Sequence, residues 1–431
     1  MTKVIDIPAE LLDDILHLVI FDAPLRWYDL WRQRLNLSSV GTTFKNVIYG
    51  SPRYWSRLFV HPYTRPEYIQ FCLRLSGSGA LYLWVNSNQP SSTSVFSRAV
   101  SHAPFPRFLA ILRQHLRPAF HRVVRLQIKG AVPNDYLATI TELEQYGGST
   151  LTRLYLQFDV GHRALAADYA AFGSLPRLSY LVLHCTIAVA PPSSYASVTT
   201  LVLRELWLKS APRWTDLRSV LVSMPRLEEL QYDHVECVQL LDAPRLLMES
   251  LVSLVVRCDS EASLLLVGKL DMPQIAEWHL TLYNGATLEA LVDACNDAFQ
   301  RVRKLELDIE RLGVDDVRVL LCASGSIRHV DISLCSSEVC HRIAHFVVVY
   351  QPSWCTLELT GPIDESRAGA MLRALAHGLS ANDVEITIYG RGSVVSRSVW
   401  RMVDGLPEES EVDGGRVDAA HRFSIDDHVK Y

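Results

Sequence analysis

The sequence has few of the features that mark secreted or membrane-spanning proteins. No apolar run reaches the roughly 20 residues that a helix needs to cross a bilayer. The first residues, MTKVIDIPAELLDD, carry acids where a secretory signal peptide has an apolar core. The nine cysteines are odd in number and scattered, and no C-x-x-C pair occurs, as is typical of buried, reduced thiols. These absences predict a soluble protein of the cytoplasm or nucleus.

A surplus of positive charge is also missing. The chain of 431 residues has 47 acidic and 42 basic side chains, for a formal net charge of −5. Residues 404–431 hold eight of the acids and three of the bases, which leaves 39 of each sign in the rest of the chain. Binding to nucleic acid or to a membrane surface usually needs a basic surplus. We therefore expect neither partner.

No catalytic motif is present: there is no G-x-S-x-G, no Walker phosphate loop and no H-E-x-x-H. One group has zinc-ligand residue types, namely Cys335, Cys340, His341 and His345. Cys340 and His341 are adjacent, so they point to different sides of a helix, and Val339 places Cys340 on an apolar face. This predicts a buried thiol beside surface histidines. We expect a protein that is not an enzyme and holds no metal or cofactor.

The first 60 residues predict a small helical domain. Pro8 suits the first turn of a helix, and apolar residues follow at helical spacing, namely Leu12, Ile15, Leu16, Val19 and Ile20. A second apolar stripe consists of Leu37, Val40, Phe44, Val47 and Ile48. Ser51-Pro52 can begin a short third helix that carries Trp55. Three short helices cannot bury this much apolar surface alone, so part of it should meet another surface.

From Val123 onward, an apolar-x-x-apolar-x-apolar triplet recurs ten times. The middle residues are Leu126, Leu154, Leu181, Leu201, Leu230, Leu254, Trp278, Leu305, Val330 and Leu357. Their spacing of 20–29 residues is that of leucine-rich repeats. Helical apolar patterns separate the triplets within residues 214–221, 288–299, 339–346 and 368–379. This alternation predicts a curved solenoid with a parallel sheet, and Ile386 lies in a last strand. The asparagine of the regular repeat is absent, which predicts an irregular array.

Polar residues between the apolar positions of these strands should face the concave side. Such a face is either an ordinary solvated surface or a surface that binds a protein target. Its mixed charge argues against a single phosphate-like ligand. The candidate target-binding residues are Arg153, Tyr155, His184, Arg204, Glu229, Gln231, Asp233, Arg257, His279, Lys304, Glu306 and Asp331.

The order of residues in the N-terminal segment resembles the F-box. The matching residues are Ile7, Pro8, Glu10, Leu11, Leu12, Ile15, Leu16, Val40, Phe44 and Trp55. Gly41 stands where the family has cysteine and Phe44 where it has tryptophan, and residues 21–34 exceed the compact family form. With the repeats, and with the phrase Ser76-Gly77-Ser78-Gly79-Ala80-Leu81, the chain is similar to fungal F-box proteins. The implied fold is α/β: a three-helix F-box followed by an irregular leucine-rich-repeat-like horseshoe, with helices on its convex side.

The resemblance implies the substrate receptor of a ubiquitin ligase, which binds a Skp-type adaptor and cullin core and holds a protein target. The implied adaptor contacts are Ile7, Pro8, Leu11, Leu12, Ile15, Leu16 and Val40. The expected domains are an F-box-like helical domain over 1–60, a linker or capping region leading into the repeats over 61–122, a leucine-rich-repeat-like solenoid over 123–400 and a flexible acidic tail over 401–431. In one alternative, the head is only a cap on a repeat scaffold, and its stripes are buried. In another, an α/β hydrolase or transferase fold would need a polar pocket that the sequence does not indicate.

Overall fold

The structure is a computed structural model in which the described residues fall into two compact units. Described residues up to Leu178 belong to the first unit, and those from Ser179 belong to the second. The structure describes residues 7–21, 27–61, 64–86, 112–130, 150–158, 175–185, 187, 193, 195–206, 211–237, 239–240, 243–258, 265–282, 295, 297–309, 326–333, 356–361, 385–390, 398–403 and 406–411.

The first unit begins with a helical head of three α-helices and one short 3₁₀ helix. The helices are α1 (Ala9–Phe21), α2 (Trp27–Ser38) and α3 (Thr42–Gly50), and the 3₁₀ helix spans Pro52–Tyr54. The carbonyl of Pro8 accepts the first hydrogen bond of α1, from the N–H of Leu12 at 2.9 Å. Helical structure in the head agrees with the expectation from the apolar spacing.

The prediction that one helix carries the whole apolar stripe from 37 to 48 is wrong. α2 ends at Ser38, α3 begins at Thr42, and Gly41 between them is extended, with φ 177° and ψ 170°. The hydroxyls of Ser38 and Ser39 donate to carbonyls three residues earlier, at 2.8 and 2.6 Å. Such side-chain hydrogen bonds compete with the helical ladder and help to end a helix. Val40 consequently lies in a turn between two helices.

Trp55 is the centre of the packing in the head. It is fully buried, and its indole N–H donates to the carbonyl of Ile48 at 2.8 Å. The ring of Phe71 meets it edge-on at 5.2 Å, and the guanidinium of Arg34 lies 5.7 Å from its centre. Burial lowers the pKa of Arg34. Trp55 therefore ties α3, α2 and the helix that contains Phe71 into one core.

The sheet of the first unit has four parallel strands and begins well before the predicted repeats. Its strands are β1 (Arg57–Val60), β2 (Leu81–Asn86), β3 (Val123–Gly130) and β4 (Arg153–Phe158), with α4 (Pro66–Leu75) between the first two. Leu58, Leu83, Leu126 and Leu154 are aligned across the sheet, and all are buried. The segment 61–122, expected to be a linker or capping region that leads into the repeats, thus contains a helix and a strand that pairs with β3.

The second unit contains most of the predicted repeats. Its elements are β5 (Tyr180–His184), β6 (Thr200–Leu206), α5 (Trp214–Val222), β7 (Glu229–Val235), β8 (Leu246–Leu247), β9 (Ser253–Cys258), β10 (Leu270–Asp271), β11 (Glu277–Leu282), β12 (Lys304–Ile309), β13 (His329–Ser333), β14 (Thr356–Gly361), β15 (Glu385–Gly390), β16 (Ser398–Val403) and β17 (Leu406–Glu411). The main sheet is parallel from β5 to β15, and β8 pairs with β10 in a separate two-stranded sheet.

The strand register confirms the predicted triplets. In the second unit the middle residues lie opposite one another on successive strands, namely Leu181, Leu201, Leu230, Leu254, Trp278, Leu305, Val330, Leu357 and Ile386. Those from Leu181 to Val330 are almost fully buried. Between β6 and β7, α5 buries the four apolar residues expected on one helical face, Trp214, Leu217, Val220 and Leu221. The helical faces expected at 339–346 and 368–379 lie outside the described residues.

The flexible tail expected from residue 401 is not what the structure shows at 406–411. These six residues form β17, which pairs antiparallel with β16. The register places Arg401 opposite Glu408, so opposite charges occupy facing positions. The acidic composition that suggested a solvated tail is thus compatible with an edge strand, where charged residues are common.

The described cysteines agree with the expectation of buried, reduced thiols. Cys72, Cys185, Cys237 and Cys295 are free and buried, and burial raises the pKa of the Cys72 thiol to about 11. Such thiols are inert because they stay protonated. None of the described helices is both long enough and apolar enough to cross a bilayer.

Candidate interaction surfaces

One apolar face of the head lies open to solvent. Leu11, Ile15 and Leu18 follow one another at spacings of four and three, so they share one side of α1. We term these three residues, together with the exposed Ile7 just before the helix, the head patch. Leu11 is 56% exposed and Leu18 is 57% exposed. Scattered exposed apolar residues are ordinary, but a contiguous stripe marks an interaction site.

The opposite side of α1 forms the core of the head. Leu12, Leu16 and Ile20 are 4%, 2% and 0% exposed. Two of the seven implied adaptor contacts, Leu12 and Leu16, therefore cannot meet a partner while the head is folded. The other five, Ile7, Pro8, Leu11, Ile15 and Val40, are exposed. Apolar residues cover more than half of this helix, and periodicity alone does not tell which half faces inward.

A polar contact fixes the orientation of α1. The hydroxyl of Tyr54 donates to the carboxylate of Asp13 at 2.7 Å, and the guanidinium of Arg53 lies 2.5 Å from the same carboxylate. Burial, together with the hydrogen bond to Asp13, raises the pKa of Tyr54 above its usual value. Because these contacts hold Asp13 toward the 3₁₀ helix, they leave the head patch on the solvent side.

The outer faces of the strands, opposite the buried leucines, hold the predicted target-binding residues. Arg153 and Tyr155 lie in the first unit, and the other ten lie in the second. Gln231 is only 4% exposed, its register neighbour Val202 is also buried, and so is Val182, which pairs with Val202 one strand further on. The prediction is therefore wrong for Gln231. The remaining candidates are exposed or half-buried and stay candidates.

In the second unit, β11 and β12 form a charged network on this face. The carboxylate of Glu306 lies 2.8 Å from Nδ1 of His279 and 2.5 Å from Nζ of Lys304. Nε2 of His279 lies 3.2 Å from the hydroxyl of Thr281. The hydrogen bond from His279 lowers the pKa of Glu306 to about 2. Partial burial acts in the opposite direction, and Lys304 adds to the lowering. The network thus holds Glu306 ionised in the folded state.

This network predicts a pH-dependent contribution to stability. Because the folded pKa of Glu306 is depressed, its contribution is present above about pH 4.5 and is lost as the pH falls toward 2. We expect Glu306→Gln to lower the free energy of unfolding by about 2 kcal/mol at pH 7 and to flatten its fall below pH 4.5. Denaturant titrations of the wild type and the variant at pH 7, 4.5 and 3 measure the free energy of unfolding. Glu277→Gln, an exposed acid on the same face, serves as the control, and equal effects of the two changes would contradict the prediction.

A cluster of possible metal ligands, which the sequence did not indicate, lies where β5 and β6 end. Nε2 of His184 is 2.8 Å from the carboxylate of Glu205, and Sγ of Cys185 is 3.5 Å from it. All three donor atoms lie within 4.8 Å of one another. Although burial opposes it, the hydrogen bond from His184 lowers the pKa of Glu205. The three groups pair with one another, so the cluster has a structural explanation without an ion.

The cluster arises because the repeats share one backbone geometry near the end of each strand. Cys185, Glu205 and His234 each follow the middle apolar residue by four positions, and all have positive φ, between 50° and 57°. This conformation is uncommon for residues other than glycine.

The group with zinc-ligand residue types at 335–345, which the sequence analysis interpreted as a buried thiol beside surface histidines, lies outside the described residues.

The outer face of the first unit has a composition of its own. Twelve residues lie at alternate positions along or directly after β1–β4, and we term them the basic–aromatic face: Arg57, Phe59, His61, Tyr82, Trp84, Asn86, Arg125, Gln127, Lys129, Arg153, Tyr155 and Gln157. Three are arginines, one is lysine, four are aromatic apart from histidine, and none is acidic. Of the twelve, only Arg153 and Tyr155 are among the predicted candidates. The residues of β1 and β2 precede the predicted repeats, which begin at Val123, and no residue of β3 was among the candidates.

Comparison with known proteins gives little guidance. No family model matches the sequence, and no protein of curated function matches it. Among solved structures, the chain is similar to one in the crystal structure of the TLR13–ssRNA13 complex, with a TM-score of 0.31 and 14% identity. The match covers 62% of this chain and 45% of that one, so this chain spans less than half of its neighbour's length. A TM-score and an identity this low do not establish a shared fold or function. The described strands themselves show an α/β fold with a parallel sheet, consistent with a leucine-rich-repeat-like protein.

Proposed function

We propose that this protein is a substrate-receptor subunit of a Skp–cullin–F-box ubiquitin ligase. In this proposal the head patch binds a Skp-type adaptor, and the outer faces of the sheets bind a protein target. The observation that carries the proposal is the exposed apolar side of α1, whose opposite side is buried in the core of the head. The F-box-like order of residues in the same segment supports it.

The head patch has the size and chemistry of an anchor for a protein partner. Fully burying a leucine or isoleucine side chain stabilises a contact by about 1.5–3 kcal/mol. Leu11 and Ile15 start 56% and 46% exposed, so each has surface left to bury in a complex. The receptor itself forms no covalent intermediate in this proposal. It raises the effective concentration of the target near the ligase.

The test is complex formation between the full chain and a Skp-type adaptor. We expect the wild-type chain to form an equimolar complex in size-exclusion chromatography. Leu11→Asp combined with Ile15→Asp should weaken it at least 100-fold, because two anchors are replaced by charges that resist burial. Titration calorimetry measures the affinity, and thermal melting checks that the variant stays folded.

A matched control separates loss of a contact from a general effect of added acids. Val222 and Leu247 are each 52% exposed and lie in the second unit, far along the chain from the head. Val222→Asp with Leu247→Asp should bind the adaptor as the wild type does. If the wild-type chain forms no complex at micromolar concentrations, the alternative of a repeat scaffold with a helical cap is favoured instead.

A further inference from the structure

The basic–aromatic face concentrates positive charge on one sheet surface. Arg57, Arg125 and Arg153 occupy the same register position on β1, β3 and β4, and Tyr82 occupies it on β2. The next outward position holds Phe59, Trp84, Gln127 and Tyr155. The face thus has two parallel rows, one mainly of arginines and the other mainly of aromatic rings. Both rows run across the strands.

Two of the three arginines lie against aromatic rings. The guanidinium of Arg125 lies 4.5 Å from the ring centre of Tyr155, and that of Arg57 lies 6.0 Å from that of Tyr82. Phe59 and Trp84 meet edge to face at 5.5 Å. A guanidinium that lies beside a ring is restrained, and it donates hydrogen bonds within its own plane. The contacts of Arg57 and Arg125 therefore favour a planar acceptor such as a carboxylate.

We propose that the basic–aromatic face binds an extended acidic segment of a protein target. This deepens the proposed function, on which it rests for the role of the ligand as a ligase target, by naming the chemistry of that target. Arginine donates bidentate hydrogen bonds to carboxylates, and arginine, tyrosine and tryptophan are the residues that dominate protein-binding hot spots. The absence of acids among the twelve residues makes the face complementary to negative charge.

The dimensions of the face set the length and pattern of the segment. Four strands about 4.8 Å apart span about 14 Å, which an extended chain covers with four or five residues. Alternate side chains of an extended segment point to opposite sides. A segment lying between the two rows would direct acids to the arginine row and apolar or aromatic side chains to the aromatic row. We therefore expect acidic and apolar residues to alternate in the target.

The packing of the rings favours a peptide over single-stranded nucleic acid. Nucleic-acid-binding faces offer aromatic rings on which bases stack. Here two of the four aromatic rings lie beside guanidinium groups of the same face, and the other two pack on each other. The formal net charge of −5 also disfavours an anionic polymer longer than the face.

Binding of a labelled peptide to the full chain tests the inference. The probe is Glu-Tyr-Glu-Leu-Glu-Tyr-Glu, and its partner probe has glutamine at every glutamate. We expect fluorescence anisotropy to show saturable binding of the first, at least tenfold weaker binding of the second, and weakening with added salt. Arg125→Gln with Arg153→Gln should weaken binding of the acidic peptide at least tenfold.

The control variant removes two exposed arginines of the second unit, by Arg226→Gln with Arg301→Gln, and should bind the peptide as the wild type does. Equal losses in both variants, or equal binding of the two peptides, would overturn the inference. If the chain binds a decauridine RNA more tightly than the acidic peptide, and this binding also depends on Arg125 and Arg153, the inference is overturned and the ligand is a nucleic acid. Thermal melting confirms folding, and both variants should still bind the adaptor. If the wild-type chain binds the acidic peptide but does not bind the adaptor, only the proposed ligase role is overturned.

Discussion

Leu16→Asp should lower the free energy of unfolding of the head by about 4 kcal/mol, whereas Leu18→Asp should lower it by less than about 1 kcal/mol. The two leucines lie two residues apart on α1, but Leu16 is 2% exposed and Leu18 is 57% exposed. Aspartate at position 16 both removes buried apolar contacts and places a carboxylate where water cannot reach it. At position 18 the same charge stays in solvent.

Limited proteolysis and circular dichroism in urea measure this difference. Proteolysis is informative because the two units need not unfold together, and cleavage within residues 7–50 reports on the head. The Leu18 variant is the matched control, since residue type, charge and helix are the same. A larger loss for the Leu18 variant would mean that α1 presents its other side to the core, and equal losses would mean that the two sides are not buried differently. Either result would contradict the assignment of the head patch.

The same pair of leucines shows how far periodicity alone can go. Spacing of 3.6 residues predicted that α1 is a helix, because that property depends on local geometry. Which side is buried depends on partners distant in sequence, such as Ile48 and Trp55, which lie in the core with Leu16. The implied contacts at Leu12 and Leu16 failed for this reason, while Leu11 and Ile15 remain available.

The repeats were easier to predict because the period itself reports long-range pairing. A constant interval places the middle apolar residues opposite one another, as the register from Leu181 to Ile386 shows. Two earlier strands fit the same pattern, with Leu58 and Leu83 as middle residues. The 43 residues between Leu83 and Leu126 exceed the repeat range, so the pattern was not extended across them. The basic–aromatic face was incomplete in the sequence-based prediction for that reason.

The cluster of His184, Cys185 and Glu205 could not have been found from spacing between ligands. Glu205 is 20 residues from Cys185, and the two meet because both have positive φ at the same repeat position, near the ends of neighbouring strands. Only the strand register specifies that proximity. A search for polar residues four positions after each middle apolar residue is the signal that would have indicated it.

Trp278→Ala should be among the most destabilising single changes in the second unit, at about 4 kcal/mol. Trp278 holds a position that is leucine on both neighbouring strands, Leu254 and Leu305, is 1% exposed, and meets the ring of Phe299 edge to face at 4.5 Å. Each repeat is stabilised mainly by its two neighbours, so a cavity at this position weakens both interfaces of β11 at once.

Trp278→Leu, which restores the residue type of its neighbours, should cost only about half as much, because leucine refills part of the cavity and keeps the apolar column continuous. Urea denaturation measures the two changes, and hydrogen exchange should show protection lost first in β9, β11 and β12. If exchange instead rises uniformly along the second unit, its repeats unfold as one cooperative body and stability is not set by neighbouring pairs. If alanine and leucine cost the same, the space around Phe299 collapses onto either side chain, and the size of Trp278 is not what holds these strands together.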